Sequence, residues 1–207
     1  MRTYSDIWDS PIDGSEKLNF FYTLVVPILT YAAFTYPDTW HCRRSLHTTC
    51  NALLRRALNI RIRWDDLAEH VHTERLYDRM PTLPALMAYQ FIQAFGHWVR
   101  HQDDMIGVLV LGSSAGARNR SGPPPRGPAQ VLERLTDLTI ADLTDVAPDR
   151  RRFRALARSA ASRVEADMYE RHIFKHRLGG PPTVEEQGVL MSYVRAKLNT
   201  WLDTRPN

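Results

Sequence analysis

The sequence has only two cysteines, Cys42 and Cys50, and no CxxC pair. That excludes the usual zinc-finger and zinc-ribbon patterns. The two thiols sit eight residues apart in a helical pattern and face different directions, so a disulfide between them is not expected. Long apolar runs are missing as well. The longest, FFYTLVVPILTYAAF, is short for a membrane span and is interrupted by Pro27. The N-terminus carries Asp6, Asp9, Asp13 and Glu16, the opposite of an Arg-rich, acid-poor transit peptide. A soluble, intracellular chain without membrane contact or a visible targeting signal is the expectation. No GxSxG, P-loop or GxGxxG motif occurs. No strand pair stands out, and no 20–50-residue repeat is visible.

What is present suits an ordinary globular chain. Of 207 residues, 43% are apolar and 24% charged, enough for one compact domain or a core with an appendage. Lys+Arg exceed Asp+Glu by 27 − 23 = 4, and the cations are very largely arginine. Arginine favours planar, bidentate pairing with phosphates and carboxylates. With a pI near 9.3, a polyanionic partner is permitted.

Almost every periodic segment reads as helix, which predicts an all-α fold. After Ser15, a suitable N-cap, Leu18, Phe21, Tyr22, Val25, Ile28, Leu29 and Ala32 follow the 3.6-residue period. Pro27 is expected to kink that helix and Pro37 to end it. In HCRRSLHTTCNALLRRALNIRIRW, the residues Leu46, Cys50, Leu53 and Ala57 form one apolar stripe. Arg44, His47, Asn51 and Arg55 repeat on the opposite face. WDDLAEHVHTERLYDRM reads as a short helix capped near Asp65 and Asp66. Pro84 sits where the next helix can start, with Met87, Phe91, Ala94, Phe95 and Trp98 on one side. LGSSAGARNRSGPPPRGPA has the composition of a linker. Beyond it lie further helical stretches, the last opening with Thr183 and Glu186 in capping-box register and placing Val184, Met191, Val194, Leu198 and Trp201 near a heptad.

Three constellations invite a chemical reading. His97 and His101 are four apart and could share a metal on one helical face. Arg100 lies between them, and Gln90 and Gln93 complete a polar face opposite Phe91, Phe95 and Trp98. A surface face accounts for these residues, and no metal or other cofactor is expected. Asp65-Asp66 could suggest two-metal phosphoryl transfer, but it precedes a helical pattern and reads as a cap. Nothing reads as an active site. The third constellation is basic. From Arg43 to Arg63 there are six arginines and no acid. Such a run is either a solvated face or a set of phosphate contacts, and Trp40, Trp64 and Tyr77 nearby could stack on bases or anchor the core.

The order of segments carries a resemblance. LVVPILTYAAFTYPDTW resembles the VxPxLxYGxExW-like motif that follows the palm in non-LTR retrotransposon reverse transcriptases. LHTTCNALLRRALNIRIRWDD is similar to their rCLRrILgIrWrD pattern, and FGHWVR to their lGHvlR signature. The stretch from Arg120 to His172 resembles the family tail containing AxDRxxWR, with Phe153 where the tryptophan usually stands. The resemblance spans about Lys17 to His172. It implies a thumb-like helical bundle, which in that family lies along the template–primer duplex, and makes FGHWVR a family landmark rather than a metal site. No YADD-like aspartate motif or Cys/His knuckle is present, so a chain that does not polymerise DNA is expected.

The expected organisation is an extension (1–14), a thumb-like bundle (15–111), a flexible linker (112–129), a helical arm (130–178) and a terminal amphipathic helix (179–207). The expected function is non-catalytic: a retroelement-derived nucleic-acid-binding or scaffold protein, held among neighbouring proteins in a large ribonucleoprotein such as a ribosome, with RNA preferred to DNA. The phosphate contacts would be Arg43, Arg44, His47, Arg55, Arg56, Arg61, Arg63 and Arg100, then Arg118, Arg120 and Arg126 in the linker, and Arg150, Arg151, Arg152 and Arg154 beyond it. The alternatives are a protein–protein module without RNA contact and a truncated retroelement product with no selected function.

Overall fold

The computed structural model describes residues 8–30, 39–60, 77, 80–101, 127–173 and 183–203. The described residues are helical, with no strand among them, so the fold is all-α. In chain order the helices are α1 (Gly14–Phe20), α2 (Val26–Thr30), α3 (Trp40–Ala57), α4 (Leu83–His101), α5 (Pro128–Thr136), α6 (Ile140–Val146), α7 (Arg150–Met168) and α8 (Val184–Asp203). Most of the expected helix over Trp64–Met80, of which only Tyr77 and Met80 are described, and most of the linker fall outside the described residues. Pro128, assigned to the linker, instead opens α5 at a position where its missing N–H costs nothing.

Local chemistry sets the ends of these helices. α1 is capped by Asp13, whose carboxylate accepts from the Ser15 N–H at 3.0 Å, so the cap lies two residues before the expected Ser15. Between α1 and α2, Phe21–Val25 widens into a π-turn in which the Val26 N–H reaches the Phe21 carbonyl. Pro27 follows immediately and has no N–H to donate. The expected kink therefore takes the form of a widened turn. α6 opens with a reciprocal capping box between Thr139 and Asp142. α8 has the expected one, with the Thr183 N–H donating to Glu186 at 2.7 Å and the Glu186 N–H to Thr183 Oγ1 at 3.3 Å.

Two apolar clusters hold the helices together, and α4 contributes to both. Leu83, Leu86 and Met87 join Phe21, Tyr22, Val26, Cys50, Leu54, Ala57, Tyr77, Leu190 and Val194 in one cluster. Ala85, Ala88, Phe91, Ile92 and Phe95 join α5, α6 and α7 in the other, through Leu132, Leu143, Phe153, Ala157 and Val164. The stretch expected as an arm thus supplies much of the second core. Gly96 permits the close crossing of α4 and α7: a Cβ there would lie 2.3 Å from Cε1 of Phe153. Arg100, one turn on, places its guanidinium 6.0 Å from the centre of the same ring and donates to the Ala147 carbonyl at 2.9 Å. Within FGHWVR, glycine and arginine therefore form a packing device around Phe153.

The apolar face of α3 differs from the expected one. His47, Cys50, Leu54 and Ala57 are buried, whereas Leu53 is 37% exposed and Leu46 half-buried. His47 stacks on the buried Tyr77 ring, centroids 5.0 Å apart, and the Tyr77 hydroxyl donates to Asn51. That aromatic contact turns the helix so that Leu54 points inward. On the first helical segment Phe21, Tyr22 and Val26 are buried, but Ile28 is 75% exposed.

Candidate nucleic-acid interface

Among the described residues, the arginines singled out in the sequence do not form one surface. On α3, Arg44 and Arg56 are exposed, as expected of phosphate contacts. His47 and Arg55 are not. His47 is fully buried against Tyr77, and Arg55 is only 8% exposed, with burial lowering its pKa. The turned face of α3 removes both from a surface interface. Arg100 is half-buried against Phe153 and Ala147, so its role is packing. Tyr77, considered for base stacking, is a core anchor whose hydroxyl pKa is raised well above its ordinary value by burial. Arg61, Arg63, Arg118, Arg120, Arg126 and Trp64 lie outside the described residues.

The start of α7 gathers cations. Arg150, Arg151, Arg154 and Arg158 line a surface groove of about 430 Å³, and the remaining lining residue is Ala155. Arg152 is exposed beside it but does not line it. Asp149 caps the helix by accepting from the Arg152 N–H at 3.0 Å. Arg150, Arg151 and Arg152 then fill the first turn, where no acid is present. Cations at this end oppose the helix dipole, each at a cost of about 0.3–1 kcal/mol at low ionic strength. Arg100 feels the same crowding, because its pKa is lowered by burial and next by the nearby charge of Arg150. Arg158 is steadied from α8, through Asp203 at 2.5 Å and Asn199 at 3.3 Å, and the Asp203 contact raises its pKa.

Arg43 belongs to a second groove, of about 320 Å³, formed by α3, α5, α7 and the π-helical turn Tyr169–Ile173 that continues α7. Trp40, Arg134, Arg163, Asp167 and Arg171 line it as well. Arg134, Arg158, Arg163 and Arg171 were not singled out in the sequence. Arg158 follows Arg154 by four residues and could have been added by helical spacing, whereas Arg134 comes from another helix and left no sequence signal.

His97 and His101 are exposed and their ring centroids lie 4.2 Å apart, so they do share a face. Among the described residues no group of three or more His, Cys, Asp or Glu could hold a metal. Cys42 and Cys50 are free thiols. No described helix is long and apolar enough to cross a membrane.

One polar constellation escaped the sequence reading altogether. Lys197 of α8 is buried against Glu165 of α7, Nζ to Oε1 2.5 Å, and also donates to Tyr169 Oη at 2.8 Å and the Tyr77 carbonyl at 3.1 Å. The other Glu165 oxygen accepts from Thr82 N–H at 2.7 Å and Thr82 Oγ1 at 2.5 Å. Three distant parts of the chain meet there in a network whose charges are paired inside the protein, as a structural fastening requires.

No family model, curated protein or solved structure matches the chain.

Proposed function

We propose that the protein is a non-catalytic nucleic-acid-binding chain, retroelement-derived as its motif order suggests, that grips a phosphate backbone through the start of α7. One observation carries this reading: four arginines line a single groove with no acid among its lining residues, and three arginines fill the first turn of a helix. A helix N-terminus favours anions, although at α7 the Asp149 carboxylate already takes the Arg152 N–H. Arginines placed there weaken the isolated helix, yet they add to its attraction for a phosphate. Such a conflict between local stability and charge placement is typical of a binding surface. Structured RNA is the favoured partner, within a larger ribonucleoprotein assembly. Backbone contacts of this kind position a nucleic acid without reading its sequence.

Ultraviolet cross-linking of the full chain to RNA from its own cells, followed by peptide mapping, tests the reading. Cross-links should concentrate in the peptides spanning Asp149–Arg158. Absence of RNA adducts, together with recovery of a stoichiometric protein partner after nuclease treatment, would transfer the function to a protein–protein module.

A further inference from the structure

We infer that Asp203 of α8 is a built-in competitor for phosphate at the first groove: a bound backbone takes Arg158 from it and loosens the last turn of α8. The inference rests on the nucleic-acid reading above and concerns how that same site is regulated. Arg150, Arg151 and Arg154 are exposed, and no ion pair among the described residues involves them. Arg158, the fourth lining arginine, differs. Its Nη2 meets Asp203 Oδ1 at 2.5 Å and its Nη1 donates to Asn199 Oδ1 at 3.3 Å, both on α8. Tyr89 of α4 is a further hydrogen-bonding neighbour. One acid from another helix therefore reaches a groove whose own lining holds none.

The contact is of a kind that an incoming phosphate can displace. The guanidinium fork is split, one nitrogen going to a carboxylate and the other to an amide. Asp203 is thus not met by the paired N–H groups that make arginine–phosphate contacts strong. Its side chain is also 62% exposed, so water screens the pair. On the other side of the balance, α8 has no basic residue in its last turn, and a helix C-terminus attracts cations. Arg158 supplies that cation from α7. Two anionic centres, the end of α8 and a phosphate in the groove, draw on one guanidinium.

Position supplies the last element. Arg150, Arg154 and Arg158 follow one another at four-residue spacing, about 6 Å of rise for each step, and form one row along α7. A backbone that fills the row from the start of the helix reaches Arg158 last. The coupling is reciprocal: what the phosphate gains from Arg158 the end of α8 loses, and fixing that end weakens the grip on phosphate. The buried Lys197–Glu165 pair, six residues before Asp203, keeps the rest of α8 docked. Only the last turn responds.

The test measures affinity for an RNA hairpin by fluorescence anisotropy across a salt series. The proteins are full-length parent, Asp203→Asn, Asp203→Asn/Arg158→Gln and Glu185→Gln. Glu185 is exposed at the opposite end of α8, eighteen residues or about 27 Å from Asp203, and its loss changes net charge equally. Asp203→Asn, at an exposed site, remains folded. It should bind about two- to fivefold more tightly than the parent, the scale of an exposed ion pair. Its log–log salt slope should be steeper by about 0.7–0.9, one further phosphate. Glu185→Gln should show neither change, being well beyond the screening length, and adding Arg158→Gln should abolish both. In the parent, hydrogen exchange of the Thr200–Asp203 amides should quicken when the hairpin binds. Unchanged or weaker binding by Asp203→Asn would overturn the inference, weaker binding because Asp203 would then be positioning Arg158 for the phosphate. A gain matched by Glu185→Gln or kept in the double variant, or last-turn exchange that slows or stays the same, would overturn it too. In each of these cases the proposed function stands. No binding of the hairpin by the parent would remove both.

Discussion

At the residue scale, the Lys197–Glu165 pair decides how the helices lock. Glu165 is completely buried and Lys197 nearly so, and each has further partners. Removing one charge leaves the other buried and unpaired, a cost of about 3–5 kcal/mol. Lys197→Met should therefore lower unfolding stability by that amount in urea titrations. Adding Glu165→Gln should recover a large part of it, since an amide oxygen can still accept from Thr82 and carries no charge. Equal stability of parent and single variant would mean that the pair contributes nothing to the fold. Cys50 supplies a second residue-scale test. Burial raises its thiol from an ordinary 9.0 to about 11. A group whose folded pKa is raised contributes stability that is present below pH 9 and is lost as pH rises towards 11. Buried Tyr77, whose pKa is also raised, acts in the same direction at higher pH. The urea midpoint should fall between pH 9 and 11, and less steeply in Cys50→Ala, while half-buried Cys42 should react first with thiol reagents at pH 8.

At the element scale, α7 is a core helix and, in the proposed function, also the interface. One face carries Phe153, Ala157, Ala160 and Val164 into the second cluster, and its first turn carries the arginines. Relieving the unfavourable helix end should stabilise the free protein: Arg151→Glu should raise Tm by a few degrees, corresponding to about 1 kcal/mol or somewhat more. The same change should weaken RNA binding. A variant more stable and equally good at binding would show that these charges serve no anion. α3 shows how an element can be found in the sequence but turned wrongly. Leu53 and Leu54 are adjacent, and either completes a stripe with Cys50 and Ala57. The choice is made by His47 stacking on Tyr77, a contact across thirty residues of chain that periodicity does not encode. By the same geometry, Leu53→Asp falls on a partly exposed site and should leave the core intact.

At the scale of the whole molecule, helical class was legible because 3.6-residue periodicity, Pro84 near a helix start and the Thr183–Glu186 box are local signals. What periodicity could not supply was partnership between helices. Lys197, Glu165 and Thr82 are unremarkable in the sequence and meet only once α4, α7 and α8 are packed. The basic surface divides in the same way. Arg150, Arg151 and Arg154 form a run within two turns, so their common groove was readable, whereas Arg43 and Arg163 become neighbours only through tertiary packing. Gly96 was noticed as part of a motif, and its physical reason emerged only from the approach of Phe153. The central claim is that the α7 arginines grip a phosphate backbone. It is tested most directly by the salt dependence of RNA affinity in the parent and in the Arg150→Gln/Arg151→Gln/Arg154→Gln variant. With about 0.7–0.9 of a log–log unit for each phosphate neutralised, the variant's slope should be flatter by about two to three units, with helicity by circular dichroism unchanged. An unchanged slope and affinity in a folded variant would contradict the account.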